Sequence, residues 1–229
     1  MTAVVVIPFR DRGTDWCRKA NLNRALEHWA AAGIVAHVFN DGRTGQFNRS
    51  ACYNRAVAEL DAETFIFSEA DLLTPIHQVE EGIALAQESP GLVVPFSQFL
   101  AMGEHDSERV RVHAISPYEA SAQQIRGNRE STGAVNIVSR ESIELIGGYD
   151  ETFDGCWFDD DAAQIAFEVC CGPVRFREGP GFHMYHVPGV GGHVSPEDAA
   201  ATERNRQRFE LYKQAKTPDD IRKLTSGER

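Results

Sequence analysis

Basic residues and long hydrophobic runs are both scarce in this sequence. Among its 229 residues, 23 are Lys or Arg and 34 are Asp or Glu, which gives a formal net charge of −11. A protein that binds nucleic acid or anionic lipid with its whole surface needs a basic face, so this balance argues against that class. The apolar start, residues 1–8, is too short for a signal-peptide core, and no other segment is long and uncharged enough for a membrane span. We therefore predict a cytoplasmic protein with no membrane partner.

Cysteine spacings typical of zinc sites or disulfide frameworks are absent. The odd number of cysteines includes no C-x-x-C pair: Cys17, Cys52, Cys156, Cys170 and Cys171. This pattern predicts buried free thiols. Two nucleotide-binding signatures are missing as well, because neither G-x-G-x-x-G nor a Walker lysine follows the first predicted strand. Dinucleotide binding and P-loop chemistry are therefore disfavoured.

The charge is unevenly distributed along the chain. Residues 1–55 contain eight basic and four acidic residues, a net of +4, whereas residues 56–229 carry a net of −15. A basic N-terminal part on an acidic protein is a first indication that an anion binds near the start of the chain.

Apolar runs of strand length alternate with helical periodicity over most of the chain. Continuous apolar runs predict strands at residues 3–7, 34–39, 64–67, 92–94 and 132–138. Helical spacing predicts helices at residues 22–33, 53–60, 76–88, 140–146, 162–170 and 197–215, while 182–187 look extended and 97–130 lack a regular pattern. This alternation predicts an α/β fold with a Rossmann-like, mostly parallel central sheet flanked by helices. With no repeat or linker, we expect one domain over residues 1–216 and an exposed tail over 217–229.

Polar side chains follow several of the predicted strands. Ligands of an open parallel sheet bind beyond the carboxyl ends of its strands, so these side chains are expected to meet at one edge. They belong to Pro8-Phe9-Arg10-Asp11-Arg12, Asn40-Asp41, Phe47-Asn48-Arg49, Ser68-Glu69-Ala70-Asp71 and His183-Met184-Tyr185-His186. Arginine offers planar donors to phosphate, and Phe9 or Phe47 can stack on a base, so the set favours a nucleotide ligand.

Two acids and two histidines in this set have the chemistry of a cation site. Glu69 and Asp71 suit a divalent cation that also touches a diphosphate, although acids at this point would equally complement the start of a helix. His183 and His186 are three residues apart, so a fully extended backbone would point them to opposite faces and make at least one structural. A kinked strand end would turn both inward, and beside an acidic pair we favour a ligand role.

A run of acids precedes the helix predicted at residues 162–170. Asp159-Asp160-Asp161 can simply complement the helix dipole. However, Asp150, Glu151 and Asp154 lie just upstream with no basic residue between, and like charges raise carboxylate pKa values and cost stability. Because that pattern is more typical of active sites, one of these aspartates is a candidate general base.

Together these motifs resemble the GT-A glycosyltransferases, and their order resembles the β-1,4-galactosyltransferase family and related family 2 glycosyltransferases. The matching segments extend from residue 3 to about 210: residues 6–12 (IPFRxR), 47–49 with Asn54 (FNR), 68–71 (DxD), 147–150 with 155–161 (G(F/Y)…GWGxEDDD), 183–186 (MxxH) and 205–209 (NxxRF). Three positions depart from the pattern. DxD reads Glu-Ala-Asp, the Met of MxxH is His183, and Cys156 replaces the tryptophan of GWG, with Trp157 following it.

The resemblance implies a GT-A fold and inverting transfer of a hexose or N-acetylhexosamine from a UDP-sugar to an acceptor hydroxyl. It assigns the nucleotide-sugar site to Pro8, Phe9, Arg10, Arg12, Asp41, Phe47, Arg49, Glu69 and Asp71. Mn²⁺ or Mg²⁺ would bind Asp71, His183 and His186. Asp160 would be the base with Asp159 as its rival, and Trp157, Asp159 and Asp161 would lie on the acceptor side. Residues 1–96 would form the nucleotide-binding half and 97–216 the acceptor and metal half.

The acceptor is not implied by any motif, and a glycan, a protein, a small molecule or modified DNA all remain open. Residues 188–192, with His193, are either a lid over the donor or a plain surface loop. The membrane anchor and stem of the eukaryotic enzymes are missing, which suggests a bacterial or phage enzyme. The alternatives are a catalytically weak nucleotide-sugar-binding protein of the same fold, a metal-dependent nucleotidyltransferase and a metal-dependent hydrolase.

Overall fold

Strands and helices alternate through the chain as the apolar pattern predicts. The structure, a computed structural model, describes residues 2–11, 13, 15–187 and 195–227. The strands in these residues are β1 Ala3–Pro8, β2 Ala36–Phe39, β3 Thr64–Ser68, β4 Leu72–Leu73, β5 Val93–Val94, β6 Gln98–Met102, β7 Ala122–Gln124, β8 Val135–Ser139, β9 Arg175–Phe176 and β10 Pro180–His183. The helices are α1 Trp16–Ala31, α2 Arg49–Glu59, α3 Ile76–Glu88, α4 Glu104–Arg111, α5 Arg140–Ile146, α6 Asp159–Cys171, α7 Pro196–Gln214 and α8 Pro218–Thr225, with one 3₁₀ turn at Pro117–Glu119.

The central sheet has six strands in the order β2-β1-β3-β8-β5-β9. Five of them run in one direction, and β8 runs antiparallel to both of its neighbours. The predicted α/β fold with a mostly parallel central sheet is therefore confirmed. Because β1, β2 and β3 are parallel neighbours, the segments that follow them leave the sheet at the same edge.

Helices cover both faces of this sheet, which explains why its strands read as continuous apolar runs. Along β1, Val5 and Ile7 pack into the cluster beneath α1 and α3, while Val6 packs into the opposite cluster beneath α2, α5 and α6. These three side chains are fully buried. Successive strand residues point to opposite faces, so a half-exposed strand would instead alternate apolar and polar residues.

A second sheet, in the order β4-β10-β6-β7, forms largely from the stretch without a regular pattern. Its strands are short, and β7 lies exposed at the edge, so only the end of β10 falls within a segment predicted as extended, residues 182–187. Strand β10 runs antiparallel to β4, with His183 opposite Leu72. In addition, the amide of Met184 donates to the carbonyl of Asp71 at 2.8 Å. This pairing brings the end of β10 beside the residues that follow β3.

The prediction of an exposed tail after residue 216 is wrong, because α8 packs into the core. Thr217 caps the helix and forms a capping box with Asp220, a local signal that the sequence carries. Ile221 is fully buried in the cluster beneath α5 and α6. The hydroxyl of Thr225 donates to the carbonyl of Ile146 at 2.9 Å and fixes α8 against α5.

Cys17 and Cys52 are free thiols that are buried, Cys170 and Cys171 are free thiols that are partly buried, and Cys156 is partly buried. The prediction of free thiols therefore holds for Cys17, Cys52, Cys170 and Cys171, and that of burial holds for the first two. Within the ranges that the structure describes, no helix has both the length and the apolar character needed to cross a bilayer.

Candidate active site

The first corner of the site lies at the ends of β1 and β2. Arg10 Nε donates to Asp41 Oδ1 at 3.1 Å, and the guanidinium lies 5.3 Å from the centre of the Phe47 ring. The side chain of Asp41 is fully buried and also accepts the amide of Asn48 at 3.0 Å. Burial alone would raise the pKa of Asp41, but the bonds from Arg10 and the Asn48 amide outweigh it and lower that pKa. The corner is therefore a fixed ion pair beside a partly exposed aromatic ring.

Three other residues at or just after the end of β1 were predicted to bind the nucleotide-sugar: Pro8, Phe9 and Arg12. Pro8 and Phe9 are both buried. The Phe9 ring packs into the cluster beneath α1 and α3, and its amide donates to the carbonyl of Phe39 at 2.8 Å. Phe47 is thus the more accessible of the two rings considered for stacking on a base. Arg12 lies outside the described residues.

The centre of the site is Arg49, the first residue of α2. Its Nη2 lies 2.7 Å from one oxygen of Asp159 and 2.7 Å from one oxygen of Asp160, the first two residues of α6. Its Nη1 approaches Glu69 at 3.5 Å. Because the N-termini of two helices and the end of β3 meet here, residues more than 100 positions apart form one charged cluster. Arg49, predicted to face a diphosphate, instead binds both predicted base candidates in this structure.

Two carboxylates of this cluster, those of Glu69 and Asp160, have pKa values raised by burial. Burial raises the pKa of Asp160 to about 6, with Arg49 opposing the rise and Asp159 adding to it. Burial also raises the pKa of Glu69 to about 8, with Asp71 adding to the rise and Arg49 opposing it. A general base works best with a pKa near the operating pH, so Asp160 has a value that suits this role.

Gly133 gives Asp160 the room that it occupies. A Cβ added at Gly133 would lie 2.2 Å from Asp160 Oδ2, closer than any real contact. The backbone just before β8 therefore lies directly against the carboxylate, and only glycine permits that approach.

A second charged cluster consists of Asp71, His183 and His186. His183 Nε2 lies 3.7 Å from Asp71 Oδ1, and His186 Nε2 lies 3.4 Å from Asp71 Oδ2. One ligand atom from each residue lies within 4.8 Å of the other two. Asp71 is buried and the two histidines are largely so. Burial lowers the pKa of His183, which favours the neutral ring that metals bind.

Both histidines point inward because the backbone leaves the extended conformation after β10. The strand ends at His183, and Tyr185 is held by its neighbours: its amide donates to Ser107 at 2.7 Å and its carbonyl accepts from Asn21 at 3.1 Å. His186 Nδ1 bonds the carbonyl of Val187 at 2.8 Å, which leaves Nε2 as the acceptor atom facing Asp71.

This donor set fits a small divalent cation. Ligand atoms lie about 2.0–2.2 Å from such an ion, so two ligands of one ion lie no more than about 4.4 Å apart. The distances from the two imidazoles to Asp71, 3.4 and 3.7 Å, meet that limit. One carboxylate and two imidazoles are compatible with Mn²⁺ and with Mg²⁺, and the nitrogen ligands favour Mn²⁺.

A strained turn precedes α6 and carries Trp157. Trp157 and Phe158 have φ values of 76° and 73°, in the left-handed region that costs a non-glycine residue about 1–3 kcal/mol. The Phe158 ring packs on Phe209 at 5.5 Å, whereas the Trp157 side chain is 55% exposed. The turn therefore anchors one aromatic ring and presents the other to solvent directly before Asp159.

Two buried asparagines that we did not assign to the site hold this turn. Asn205, on α7, donates to the carbonyl oxygens of residues 154, 156 and 157 at 2.8–3.2 Å. Asn48 donates to the carbonyl oxygens of residues 151 and 153, both at 2.9 Å, and to Asp154 Oδ1 at 3.0 Å. Both asparagines lie in segments that resemble family motifs, FNR and NxxRF, and that resemblance is the signal that could have identified them.

The remaining predicted residues lie apart from the Arg49 cluster. Asp161 is exposed in the first turn of α6. Of the upstream acids, Asp150 is buried and bonded to Arg208 at 2.8 Å, and Glu151 pairs with Arg43. The structure thus separates these acids from Asp159 and Asp160. The segment 188–193 considered as a lid lies outside the described residues.

The fold, rather than the sequence, relates this chain to known proteins. No protein-family model and no curated protein sequence matches it. A mutant of Drosophila β1,4-galactosyltransferase 7, solved with manganese, UDP-Gal and xylobiose, is similar with a TM-score of 0.52 and 14% identity, over 77% of this chain and 65% of the fly chain. GalNAc-T7, solved with UDP, GalNAc and Mn²⁺, is similar with a TM-score of 0.51 and 13% identity, over 99% of this chain and 53% of its own. This chain has the GT-A fold.

The GT-A fold expected from the order of the motifs is thereby confirmed. A second structure of the fly enzyme, in complex with xylobiose, gives a TM-score of 0.51 at 15% identity, over 76% of this chain and 64% of that one. The chain thus spans less than two thirds of the length of each of these proteins. At such low identity the similarity establishes the GT-A fold and leaves chemistry to the residues of the site.

Proposed function

We propose that this chain is a metal-dependent, inverting glycosyltransferase that transfers a hexose or N-acetylhexosamine from a UDP-sugar to an acceptor hydroxyl. The observation that carries this proposal is the arrangement at one sheet edge. Glu69, which follows β3, pairs with Arg49, and Arg49 also pairs with Asp159 and Asp160. Asp71, two residues after Glu69, lies beside His183 and His186. A candidate cation site and a candidate base thus lie side by side in a GT-A fold, and this arrangement supports the proposal.

The donor side would be formed by the corner at β1 and β2. In this proposal the uracil stacks near Phe47 and Arg10, whose orientation Asp41 fixes. Arginine and the positive N-terminus of α2 suit a diphosphate, which would lie between this corner and Asp71. The net charge of +4 in residues 1–55 is consistent with an anionic donor.

Asp71, His183 and His186 would hold Mn²⁺ or Mg²⁺. The ion, when bound, would act as a Lewis acid that stabilises negative charge on the departing diphosphate. The neighbours solved with Mn²⁺ or manganese support a metal in this fold. Glu69 would contribute through Arg49 rather than as a ligand, since its carboxylate points to that guanidinium.

Asp160 would accept the proton of the acceptor hydroxyl. As the acceptor oxygen bonds to the anomeric carbon, the bond from that carbon to UDP breaks and UDP leaves with the electron pair. One displacement of this kind inverts the anomeric configuration. Asp159 would orient the acceptor, and the exposed indole of Trp157 would offer an apolar surface to a sugar ring.

A donor screen tests the proposal. Thermal unfolding would be followed with UDP-galactose, UDP-glucose and their N-acetyl forms, each with and without Mn²⁺. Binding to the folded state at 100 times Kd adds about 2.7 kcal/mol to stability, so the true donor gives a metal-dependent rise in Tm. UDP release with a panel of hydroxyl acceptors then measures transfer.

Asp71→Asn and a matched control decide the metal assignment. Asp71→Asn should lose the Mn²⁺-dependent rise, whereas Asp219→Asn, on the exposed face of α8, should keep it. An unchanged rise in Asp71→Asn contradicts the assignment. Donor binding without turnover on any acceptor would instead indicate a nucleotide-sugar-binding protein, and UDP-sugar cleavage by water alone a hydrolase.

A further inference from the structure

A small cavity lies beneath the first turn of α6. Its volume is about 10 Å³, and its wall includes Ser50, Tyr149, Asp150, Asp159 and Tyr212. A cavity needs roughly 10–15 Å³ to hold one water molecule. The wall mixes these polar side chains with apolar ones such as Ile146 and Ala166, whereas cavities that stay empty are apolar throughout.

Two atoms of this wall are buried and have no hydrogen-bond partner in the described part of the chain: the hydroxyl of Tyr149 and Oδ1 of Asp159. Tyr149 is 94% buried, since its exposure is 6%. Buried polar atoms without a partner are rare in folded proteins, and ordered water is the usual partner where no protein group is within reach.

The other charged group in the wall is already satisfied. Asp150 accepts bonds from Arg208 at 2.8 Å and from the Tyr212 hydroxyl at 3.1 Å. Among the wall residues, the need for a partner is therefore confined to Tyr149 and Asp159.

We infer that one internal water bridges the Tyr149 hydroxyl to Asp159 Oδ1, and that Tyr149 is thereby a positioning residue for Asp159. Tyr149 is itself fixed, since its ring packs 5.0 Å from that of Tyr53 and its backbone amide and carbonyl both bond Asn54 at 2.8 Å.

With this water in place, Asp159 and Asp160 differ in the number of carboxylate oxygens that are hydrogen-bonded. Asp159 is held at both oxygens, at Oδ2 by Arg49 at 2.9 Å and at Oδ1 by the water. Asp160 is held by Arg49 at Oδ2 alone, at 2.7 Å. The geometry thus leaves Asp160 with an oxygen that no described residue bonds and that can take the acceptor's proton, while Asp159, held at both oxygens, is fixed in the position from which it would orient the acceptor. This consequence rests on the proposed function, whereas the water itself does not.

A crystal structure of the chain at about 1.5 Å resolution tests the bridge directly. We expect one well-ordered water within hydrogen-bond distance of both the Tyr149 hydroxyl and Asp159 Oδ1. A cavity without density, or a direct bond between the two side chains, overturns the inference whether or not the protein transfers sugar.

Tyr149→Phe tests the positioning role, and Tyr212→Phe is its control. Both changes remove one buried hydroxyl from the same cavity wall, but that of Tyr212 bonds Asp150 directly. We expect both variants to unfold at similarly lowered temperatures, while only Tyr149→Phe loses about 5- to 10-fold in kcat, the value of one hydrogen bond, with KM for the donor within twofold. Equal kcat in the two variants overturns the positioning role, and absence of turnover in the unaltered protein refutes the proposed function alone.

Discussion

Replacing Arg49 with methionine tests how the carboxylate of Asp160, at the start of α6, is kept ionised. Methionine retains much of the length of the side chain but removes the guanidinium that bonds Asp159 and Asp160. Arg49 lies 2.7 Å from an oxygen of each carboxylate, and its own side chain is only 16% exposed. Without it, two negative charges would share a mostly buried site with no counter-ion.

The size of the effect follows from the pKa of Asp160. An arginine beside a carboxylate lowers its pKa by about 1–3 units, each worth about 1.4 kcal/mol. Solvent reaches 32% of the Asp160 side chain and screens part of this, so we expect a rise of about 1–2 units. The pKa would move from about 6 to roughly 7–8.

The assay is the pH dependence of kcat for UDP release at saturating donor and Mn²⁺. A base must be ionised to act, so the acid limb should lie near pH 6 in the unaltered protein and move to about pH 7–8 in Arg49→Met. Arg55→Met, which removes an exposed arginine of the same helix, should leave the limb in place. A limb that stays at pH 6 in an active Arg49→Met variant refutes the electrostatic role of Arg49.

Thermal unfolding gives a second measurement that does not need activity. The folded pKa of Asp160 lies above its ordinary value of 3.8, so the native state binds more protons between the two values and stability falls as pH rises. In Arg49→Met the window that belongs to Asp160 should extend from about pH 4 to 8 rather than to 6, and that of Glu69, whose pKa of about 8 Arg49 also lowers, should extend further. The variant should therefore lose more stability at pH 8 than at pH 5, and an equal loss at both contradicts the assignment.

Three further substitutions test individual contacts. Gly133→Ala should displace the carboxylate of Asp160, because the added Cβ would lie 2.2 Å from its Oδ2. We expect a large fall in kcat and little change in Tm. Asn205→Ala should leave the carbonyl oxygens of residues 156 and 157 without their hydrogen-bond donor and so release the strained turn that carries Trp157. The free energy of unfolding, measured with denaturant, should fall by about 1–3 kcal/mol. Ile221→Ala should cost about 2–5 kcal/mol by the same measurement, and a loss below 1 kcal/mol would show that α8 does not belong to the core.

The strands of the central sheet were predictable because helices cover both of its faces, so that each buried strand is a continuous apolar run in the sequence. The apolar runs identified β1, β3 and β8, and helix α5 has the predicted bounds, Arg140–Ile146. The direction of each strand was not predictable, since a run such as 132–138 has the same apolar pattern whether its strand is parallel or antiparallel to its neighbours. Apart from the end of β10, the second sheet escaped prediction because its strands are short and obtain their partners from distant segments.

The candidate site was predictable in its location but not in its pairings. The positions after the strands placed Arg10, Glu69 and Asp71 at one edge. No local pattern indicates that Arg49 bonds Asp159 rather than a ligand, because the two residues lie 110 positions apart and meet only through the packing of α2 and α6. Likewise, the tail after residue 216 was taken as exposed, although the capping box at Thr217 and the i, i+3 pair Ile221 and Leu224 indicate a helix with one apolar face.

The packing of α8 also bears on how the chain folds during synthesis. The cluster that contains Ile221 also contains Val6 of the first strand and Phe67 of the third. A chain that is still being translated can pair β1, β2 and β3 but cannot complete this cluster until α8 has left the ribosome. Until then the apolar surface of α5 and α6 against which α8 packs stays exposed, so slowed translation near residue 217 should prolong exposure to chaperones and to aggregation.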